Sequence, residues 1–160
     1  MKIGLIADTH DRLEKIEKAV AFFNSQELDL VIHAGDYVAP FTARVFSDLQ
    51  VDMKGIFGNN DGEKPGLLRA YQEIMHIEEA PYSFKVDDAS IVVVHMDQNL
   101  DTLMKDHDIV VYAHSHQYDS KKEHNTVLIN PGECCGYLSG MSTVGILDTK
   151  TLESNIFQLQ

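Results

Sequence analysis

Four short polar clusters in this 160-residue chain contain side chains that can bind metal ions and activate water. Each combines imidazole, carboxylate or amide groups and directly follows an apolar run: Asp8-Thr9-His10, Gly35-Asp36, Gly58-Asn59-Asn60-Asp61 and Ala113-His114-Ser115-His116. A fifth apolar run ends at His95. Each cluster alone is weak evidence, because Asp-x-His and His-x-His arise often by chance. Their common placement after apolar runs indicates one shared site.

The candidate metal ligands are imidazole nitrogens and carboxylate or amide oxygens: Asp8, His10, Asp36, Asn59, His95, His114 and His116. This mixture suits Mn²⁺, Fe²⁺, Zn²⁺, Co²⁺ or Ni²⁺. Two ions about 3.5–4 Å apart that share one carboxylate would use the whole set and activate a bridging water. Two such ions and two carboxylates would leave a local charge of roughly +2, which would attract a phosphate group.

An alternation of strands and helices would bring these clusters together. In the first half, hydrophobic periodicity predicts strands at 2–7, 30–34 and 51–57, and helices at 11–24, 40–49 and 66–75. In the second half it predicts strands at 82–86, 89–95, 109–113, 127–130, 143–148 and 152–159, and at most a short helix at 100–105. Parallel strands joined by helices place the loops after their carboxyl ends along one edge. We therefore expect the polar clusters to meet at that edge.

Composition and charge narrow the classes of function. With 44% hydrophobic residues, the chain is long enough for a single domain spanning residues 1–160. Its net charge of −12 would repel duplex nucleic acid. No apolar run approaches the roughly 20 residues of a membrane helix, so we expect a cytoplasmic protein with no membrane partner. The adjacent Cys134 and Cys135 form no disulfide framework and are expected to be small loop residues rather than a redox or metal pair.

Other site classes lack their motifs. The sequence contains no His-Glu-x-x-His, no glycine-rich nucleotide loop and no Gly-x-Ser-x-Gly. A cupin-like site could use His114, His116 and Glu123, but it would leave the earlier clusters unexplained.

The clusters, taken in order, resemble those of the calcineurin-like metallophosphoesterase superfamily, and in particular its small prokaryotic phosphodiesterase branch. The resemblance rests on Asp8-x-His10, Gly35-Asp36, Gly58-Asn59-x-Asp61, His95 and His114-x-His116, with Asn130-Pro131-Gly132 as a further turn. It implies an α/β fold, a four-layer αββα sandwich of two mixed β-sheets packed face to face with helices outside. It also implies hydrolysis of small phosphodiesters by two divalent ions, with Mn²⁺ the first candidate, through a bridging hydroxide. By the same resemblance, Asp8, His10 and His116 hold the first ion, Asp36 bridges, and Asn59, His95 and His114 hold the second.

Three positions depart from the family pattern. Many members have a histidine directly after the metal-binding asparagine, whereas this chain has Asn60, which cannot be a general acid. We expect Asp36 and Asn60 to act in catalysis and Asn59 and Asn60 to contact the substrate, with aryl esters favoured because they leave as stable anions. Met96 and Ala113 stand where related sequences usually have glycine, and a side chain there is expected to narrow the substrate pocket or to shift the loop.

Several aromatic residues keep two interpretations each. His33 either supports a metal ligand or is a strand histidine bonded to backbone, and Tyr37 and Tyr118 either line the substrate pocket or are half-buried loop residues. Surface positions are expected for the remaining histidines: His76, His107 and His124.

Two other functions fit the same fold. A metal-binding sensor with weak or no turnover would share these ligands, and a protein-interaction scaffold would have no physical need for four imidazoles at one edge. Exposed sheet edges are compatible with a homo-oligomer.

Overall fold

The computed structural model describes residues 1–123 and 125–160 and contains two β-sheets with helices outside them. The strands are β1 (Lys2–Ile6), β2 (Leu30–His33), β3 (Met53–Ile56), β4 (Ile77–Glu78), β5 (Tyr82–Val86), β6 (Ala89–Val93), β7 (Ile109–Val111), β8 (Asp119–Glu123), β9 (Thr126–Asn130), β10 (Thr143–Asp148) and β11 (Glu153–Gln158). The helices are α1 (Leu13–Asn24), α2 (Ala43–Phe46), α3 (Lys64–Tyr71) and α4 (Leu100–Asp106), with a 3₁₀ turn at Pro40–Thr42 before α2.

Both sheets are mixed. The first has the order β11-β10-β1-β2-β3-β4, in which β1 to β4 are parallel and β10 and β11 are antiparallel to their neighbours. The second has the order β5-β6-β7-β9-β8, in which β6, β7 and β9 are parallel and the two edge strands are antiparallel. The carboxyl ends of β1, β2, β3, β6 and β7 therefore carry the predicted polar clusters.

The two sheets pack face to face through an apolar core. Side chains along β1 point alternately to the two faces of its sheet. Ile3 and Leu5 pack in the core between the sheets, and Ile6 packs in the core under the helices. On the outside of the first sheet, α1 buries its apolar face, including Ile16 and Phe23. On the outside of the second sheet, α4 packs against a smaller apolar cluster. The predicted four-layer αββα arrangement is confirmed.

The elements differ from the sequence prediction mainly at their ends. The predicted helix at 40–49 is a 3₁₀ turn followed by the four-residue α2, and α3 ends at Tyr71 rather than at 75. The strands predicted to reach His95 and Ala113 end at Val93 and Val111, because the chain turns there into the loops that carry the histidines. Edge strands β4 and β8 were not predicted. In the part of the chain described, no helix is long and apolar enough to cross a membrane.

Candidate metal centre

The polar clusters lie together where the two sheets meet. Nδ1 of His95, which follows β6 in the second sheet, lies 2.8 Å from the carbonyl oxygen of Ala34, which follows β2 in the first. The backbone N–H of His114 donates to Oδ2 of Asp8 at 3.3 Å, again from one sheet to the other. Side chains contributed by loops of both sheets thus form one site.

The first group of candidate ligands is Asp8, His10 and His116, whose ligand atoms lie within 4.8 Å of one another. Nε2 of His116 is 3.7 Å from Oδ1 of Asp8, and Nε2 of His10 is 3.9 Å from the same oxygen. The two imidazole rings are stacked with centroids 5.2 Å apart. Two imidazole nitrogens therefore face one carboxylate oxygen at distances that leave room for a cation between them.

The second group surrounds Asp36, which lies between the two sets of histidines. Its Oδ2 is 3.4 Å from Nε2 of His10 and also 3.4 Å from Nε2 of His95. Nε2 of His95 is in turn 3.0 Å from Oδ1 of Asn59, and the His114 ring meets the His95 ring edge-on with centroids 5.3 Å apart. The structure thus brings all seven sequence-predicted ligands into one region, with Asp36 at its middle.

Hydrogen bonds fix Asp36 in an ionised state. Asn60 donates twice to its carboxylate, from the backbone N–H to Oδ1 at 2.9 Å and from Nδ2 to Oδ2 at 2.7 Å. Burial on its own would raise the pKa of Asp36, but the hydrogen bonds and charge from His95 and the bonds from Asn60 hold that pKa well below its ordinary value. An anionic oxygen is the form required of a metal ligand.

Asp61 supports the same loop without facing the ligand atoms. Its carboxylate accepts backbone N–H groups from Asp36 at 2.9 Å, from Val38 at 2.7 Å and from Gly58 at 2.7 Å. Asp61 therefore connects the loop after β2 to the loop after β3. This structural role accounts for an aspartate at the second position after Asn59.

The buried environment of Asp8 disfavours its ionised form. Its side chain is fully buried, and burial raises its pKa to about 6, against the lowering effect of His95 and His116 and with a further rise from Asp36. Among the described residues, Asp8 Oδ1 and His10 Nε2 are buried polar atoms without a hydrogen-bond partner. A buried polar atom with no partner costs about 1–3 kcal/mol. Because these two atoms face each other, a divalent cation would satisfy both, and the donor set fits such an ion.

Five of the seven candidate ligands have a left-handed backbone, with φ between 39° and 69°: Asp8, His10, Asp36, His114 and His116. This conformation is uncommon for residues other than glycine and costs of order 1–3 kcal/mol each. Such strain is kept where the surrounding structure holds the residues for function. Here it turns each side chain out of its strand direction and toward the common centre.

Glu133 belongs to the site although the sequence did not single it out. It is fully buried, and its Oε2 is 2.8 Å from Nδ1 of His116. The carboxylate also accepts the backbone N–H groups of Tyr137, Leu138 and Ser139. A signal was present, because Glu133 follows the Asn-Pro-Gly turn directly after β9, a parallel strand whose carboxyl end lies at the same edge.

The two cysteines are free and buried. Their backbone N–H groups donate to the carbonyls of Ala7 at 2.9 Å and Asp8 at 3.1 Å, which docks this loop on the site. Cys135 Sγ donates to Glu133 at 3.0 Å, and burial together with that carboxylate raises the pKa of the thiol to about 12. Cys135 is therefore a neutral hydrogen-bond donor here, although its Sγ also lies within 4.8 Å of ligand atoms of His116 and Glu133. Its role as a small loop residue stays a prediction.

Two further residues named from the sequence, His33 and Tyr37, lie buried behind the site. His33 is fully buried, accepts the backbone N–H of Gly35 at 3.1 Å through Nδ1, and lies 3.2 Å from Thr9 Oγ1 through Nε2. Through these hydrogen bonds it supports the loops that carry Asp8 and Asp36. Tyr37 is fully buried and stacks on His33 with centroids 3.8 Å apart, so its pocket-lining interpretation is wrong.

Of the residues that replace glycine, Met96 lines a cavity beside Asn59 and His95, whereas the Ala113 side chain is buried in the core between the sheets. Ala113 therefore does not narrow the pocket, and the alternative that it shifts the loop stays a prediction. His76 is exposed, and His107 is half-buried and within hydrogen-bond distance of Ser83. His124 lies outside the described residues.

Comparison with known proteins agrees with this geometry. A sequence profile of the calcineurin-like phosphoesterase superfamily domain matches residues 1–152. The chain belongs to this superfamily. The phosphodiesterase MJ0936 of Methanocaldococcus jannaschii is 38% identical over 159 residues, which cover 96% of each chain. As a member of this superfamily with such a relative, the chain is a hydrolytic phosphoesterase that uses divalent metal ions.

Two solved structures have a similar fold. A structure described as a novel archaeal phosphodiesterase has a TM-score of 0.93 and 37% identity, covering 99% of this chain and 100% of that one. Vps29 of Chaetomium thermophilum has a TM-score of 0.72 at 14% identity, with coverage of 99% and 95%. The second likeness concerns the fold alone.

Proposed function

We propose that this phosphoesterase hydrolyses small phosphodiesters at a dinuclear metal centre, with residues 1–160 acting as one domain. The observation that carries the proposal is the position of Asp36, whose Oδ2 lies 3.4 Å from both His10 and His95. One carboxylate oxygen between two groups of ligands is the arrangement that two neighbouring ions require. The phosphodiesterase relative supports the choice of a diester as substrate.

Each ion would take three ligands besides the shared Asp36. Asp8, His10 and His116 would hold the first ion, and Asn59, His95 and His114 the second. When bound, the two ions would supply a bridging hydroxide as the nucleophile and neutralise charge on the phosphate. Mn²⁺ is the first candidate, and the same donors also accept Ni²⁺, Fe²⁺, Co²⁺ or Zn²⁺.

The protein groups around the substrate would orient it rather than protonate it. Asn60 is exposed, and one amide hydrogen of its side chain is bonded to Asp36, which leaves the other free to donate to a phosphate oxygen. The Asn59 amide, beside His95, would lie at the same edge of the substrate. Since neither amide can deliver a proton to the leaving oxygen, esters with stable leaving anions should react fastest.

We place this activity in the cytoplasm, where two free cysteines stay reduced. A small substrate also suits the charge of the chain, because a net −12 opposes a long polyanion while a dinuclear centre attracts a single phosphate.

The direct test is hydrolysis of bis(4-nitrophenyl) phosphate by metal-stripped protein before and after addition of Mn²⁺. Turnover that appears with the metal and is lost in Asp36→Asn would support the proposal. Asp88→Asn, which removes a carboxylate from an exposed turn, is the matched control and should retain activity. Metal binding without turnover for Mn²⁺, Ni²⁺, Co²⁺ and Zn²⁺ would instead support a sensor or a scaffold.

A further inference from the structure

Two cavities of similar size flank the candidate metal centre. One, of about 400 Å³, is lined by His116 and the residues after it, and we name it the His116 cavity. The other, of about 390 Å³, is lined by Asn59 and His95 among others, and we name it the His95 cavity. Each cavity shares a candidate metal ligand, but the two belong to opposite groups of ligands. A phosphodiester held at the metals has two ester groups, and one cavity adjoins each side.

The two cavities differ in chemistry. The His116 cavity is lined by His116, Gln117, Tyr118, Ser139, Met141 and Thr143, and none of these described residues is an acid, a lysine or an arginine. The His95 cavity includes Lys64 and Glu79, which form an ion pair at 2.7 Å. In a chain with a net charge of −12, a cavity wall without an acidic group suits an uncharged ligand group.

Exposed apolar side chains are concentrated at the His116 cavity. Six large hydrophobic side chains are exposed in the described part of the chain, and four of them lie at 118 and 137–141: Tyr118, Tyr137, Leu138 and Met141. Tyr118 and Met141, which line the cavity, are 53% and 36% exposed. Exposed large apolar side chains beside a cavity are a candidate binding surface.

The wall of the His116 cavity is held in place by the metal site itself. Glu133 accepts the backbone N–H groups at 137–139 and also bonds His116, so one buried carboxylate fixes the loop and the ligand together. On the other wall, Gly132 has a φ of 77°, a conformation that favours glycine, and a Cβ there would clash with Oγ1 of Thr143 and press on Tyr118. The backbone on both sides of the cavity is therefore held in place beside His116, a candidate metal ligand.

We propose that the His116 cavity binds a planar aromatic ester group of the substrate, stacked on Tyr118 and packed against Met141. Aromatic rings gain about 0.5–1.5 kcal/mol from such pairing beyond the burial of their area, and methionine sulfur makes favourable contacts with rings. Binding of the phosphate beside His116 rests on the proposed function. The aromatic preference itself rests on the cavity and its exposed apolar wall.

The test measures binding rather than turnover. Isothermal titration calorimetry of the Mn²⁺-loaded protein would compare phenylphosphonate with methylphosphonate, which carry the same charged group and differ in the aromatic ring. The wild-type protein should bind the phenyl compound more tightly. Tyr118→Ala should reduce this preference by about fivefold to tenfold, while the affinity for methylphosphonate stays unchanged. Tyr118→Phe keeps the ring and should keep the preference.

Two controls separate the outcomes. Phe157→Ala removes an exposed aromatic side chain of β11 and should leave the preference intact, with thermal unfolding confirming that every variant is folded. Met96→Ala alters the wall of the His95 cavity. An unchanged preference in Tyr118→Ala, or a loss in Met96→Ala instead, would overturn the proposal. Because phosphonates are not hydrolysed, absent turnover of diesters would count against the proposed function and not against this subsite.

Discussion

Glu133 and His116 form a buried carboxylate–imidazole pair on the far side of the metal ligand. Oε2 of Glu133 is 2.8 Å from Nδ1 of His116, while Nε2 of the same ring faces Asp8 at 3.7 Å. Because an ionised carboxylate only accepts hydrogen bonds, Nδ1 carries the proton and the Nε2 lone pair is directed at the centre. Burial would raise the pKa of Glu133, but hydrogen bonds from His116, Ser139 and Cys135 lower it to about 2.

The first prediction concerns this pair. Glu133→Gln keeps the size of the side chain but removes the charged partner that accepts the Nδ1 proton of His116 and orients its ring. The affinity for one of two divalent ions should fall by about 10–100-fold, the usual cost of losing such a partner. Calorimetric titration of metal-stripped protein with Mn²⁺ measures this, since the weakened ion appears as a separate binding step.

The control for this variant is Glu123→Gln, which makes the same chemical change on exposed strand β8. It should bind Mn²⁺ as the wild type does. It also tests the cupin-like alternative, in which Glu123 would be a ligand with His114 and His116. Equal Mn²⁺ affinities for the wild type and Glu133→Gln would show that the Glu133–His116 pair does not contribute to metal binding.

The second prediction separates Asp36 from Asn60. Asp36→Asn removes the carboxylate that both groups of ligands face, so both ions should bind weakly and turnover of bis(4-nitrophenyl) phosphate should fall by at least about 10³-fold. Asn60→Ala removes one side-chain donor to Asp36 at 2.7 Å but leaves the backbone N–H of residue 60 in place. Turnover of the same substrate should therefore fall only roughly tenfold. Steady-state kinetics at saturating Mn²⁺ compare the two, and losses of similar size would contradict these roles.

The third prediction concerns stability without metal. The pKa of Asp8 is raised by burial to about 6 from an ordinary 3.8, so between these values the unfolded chain ionises before the folded one. The metal-free protein should therefore lose stability as the pH rises through roughly 4 to 6, by up to about 3 kcal/mol. Asp8→Asn removes this cost and should raise the unfolding temperature at pH 7 by up to roughly 6–12 °C.

Thermal unfolding with and without Mn²⁺ tests this balance. The metal should stabilise the wild type, because it satisfies Asp8 Oδ1 and His10 Nε2, and it should stabilise Asp8→Asn much less. If metal-free Asp8→Asn unfolds at a lower temperature than the wild type, burial of the Asp8 carboxylate does not destabilise the metal-free protein.

All seven candidate ligands could be named from the sequence because each follows a strand whose apolar pattern is unambiguous. The carboxyl ends of parallel strands share an edge within each sheet, which groups the ligands of that sheet. The packing that joins the two groups was predicted only from the family resemblance, which implies two sheets face to face. Glu133 was missed, although it directly follows the Asn130-Pro131-Gly132 turn, because its role depends on a hydrogen bond to His116 that no spacing predicts.

Other errors have similar physical reasons. Strand β8 has four exposed residues in a charged run, so its pairing with β9 leaves no hydrophobic alternation in the sequence. Tyr37 was a candidate pocket residue because it follows Asp36, yet the left-handed backbone of Asp36 turns the chain and Tyr37 packs on His33 inside the core. Local sequence indicates which side chains can do chemistry, whereas tertiary contacts decide which of them face the centre.

The final prediction tests the missing general acid. Asn60 is exposed at the edge of the site, so Asn60→His would place an imidazole where a leaving oxygen can be reached. Proton delivery matters for poor leaving groups and contributes up to about 10²–10⁴-fold. The variant should therefore raise kcat for an alkyl phosphodiester at least tenfold more than for an aryl phosphodiester. The alkyl gain should decline as the pH rises above the pKa of the introduced imidazole. Asn60→Gln keeps an amide at this position and should show no such selectivity. Equal effects of Asn60→His on both esters would mean that the position cannot present a proton to the leaving group.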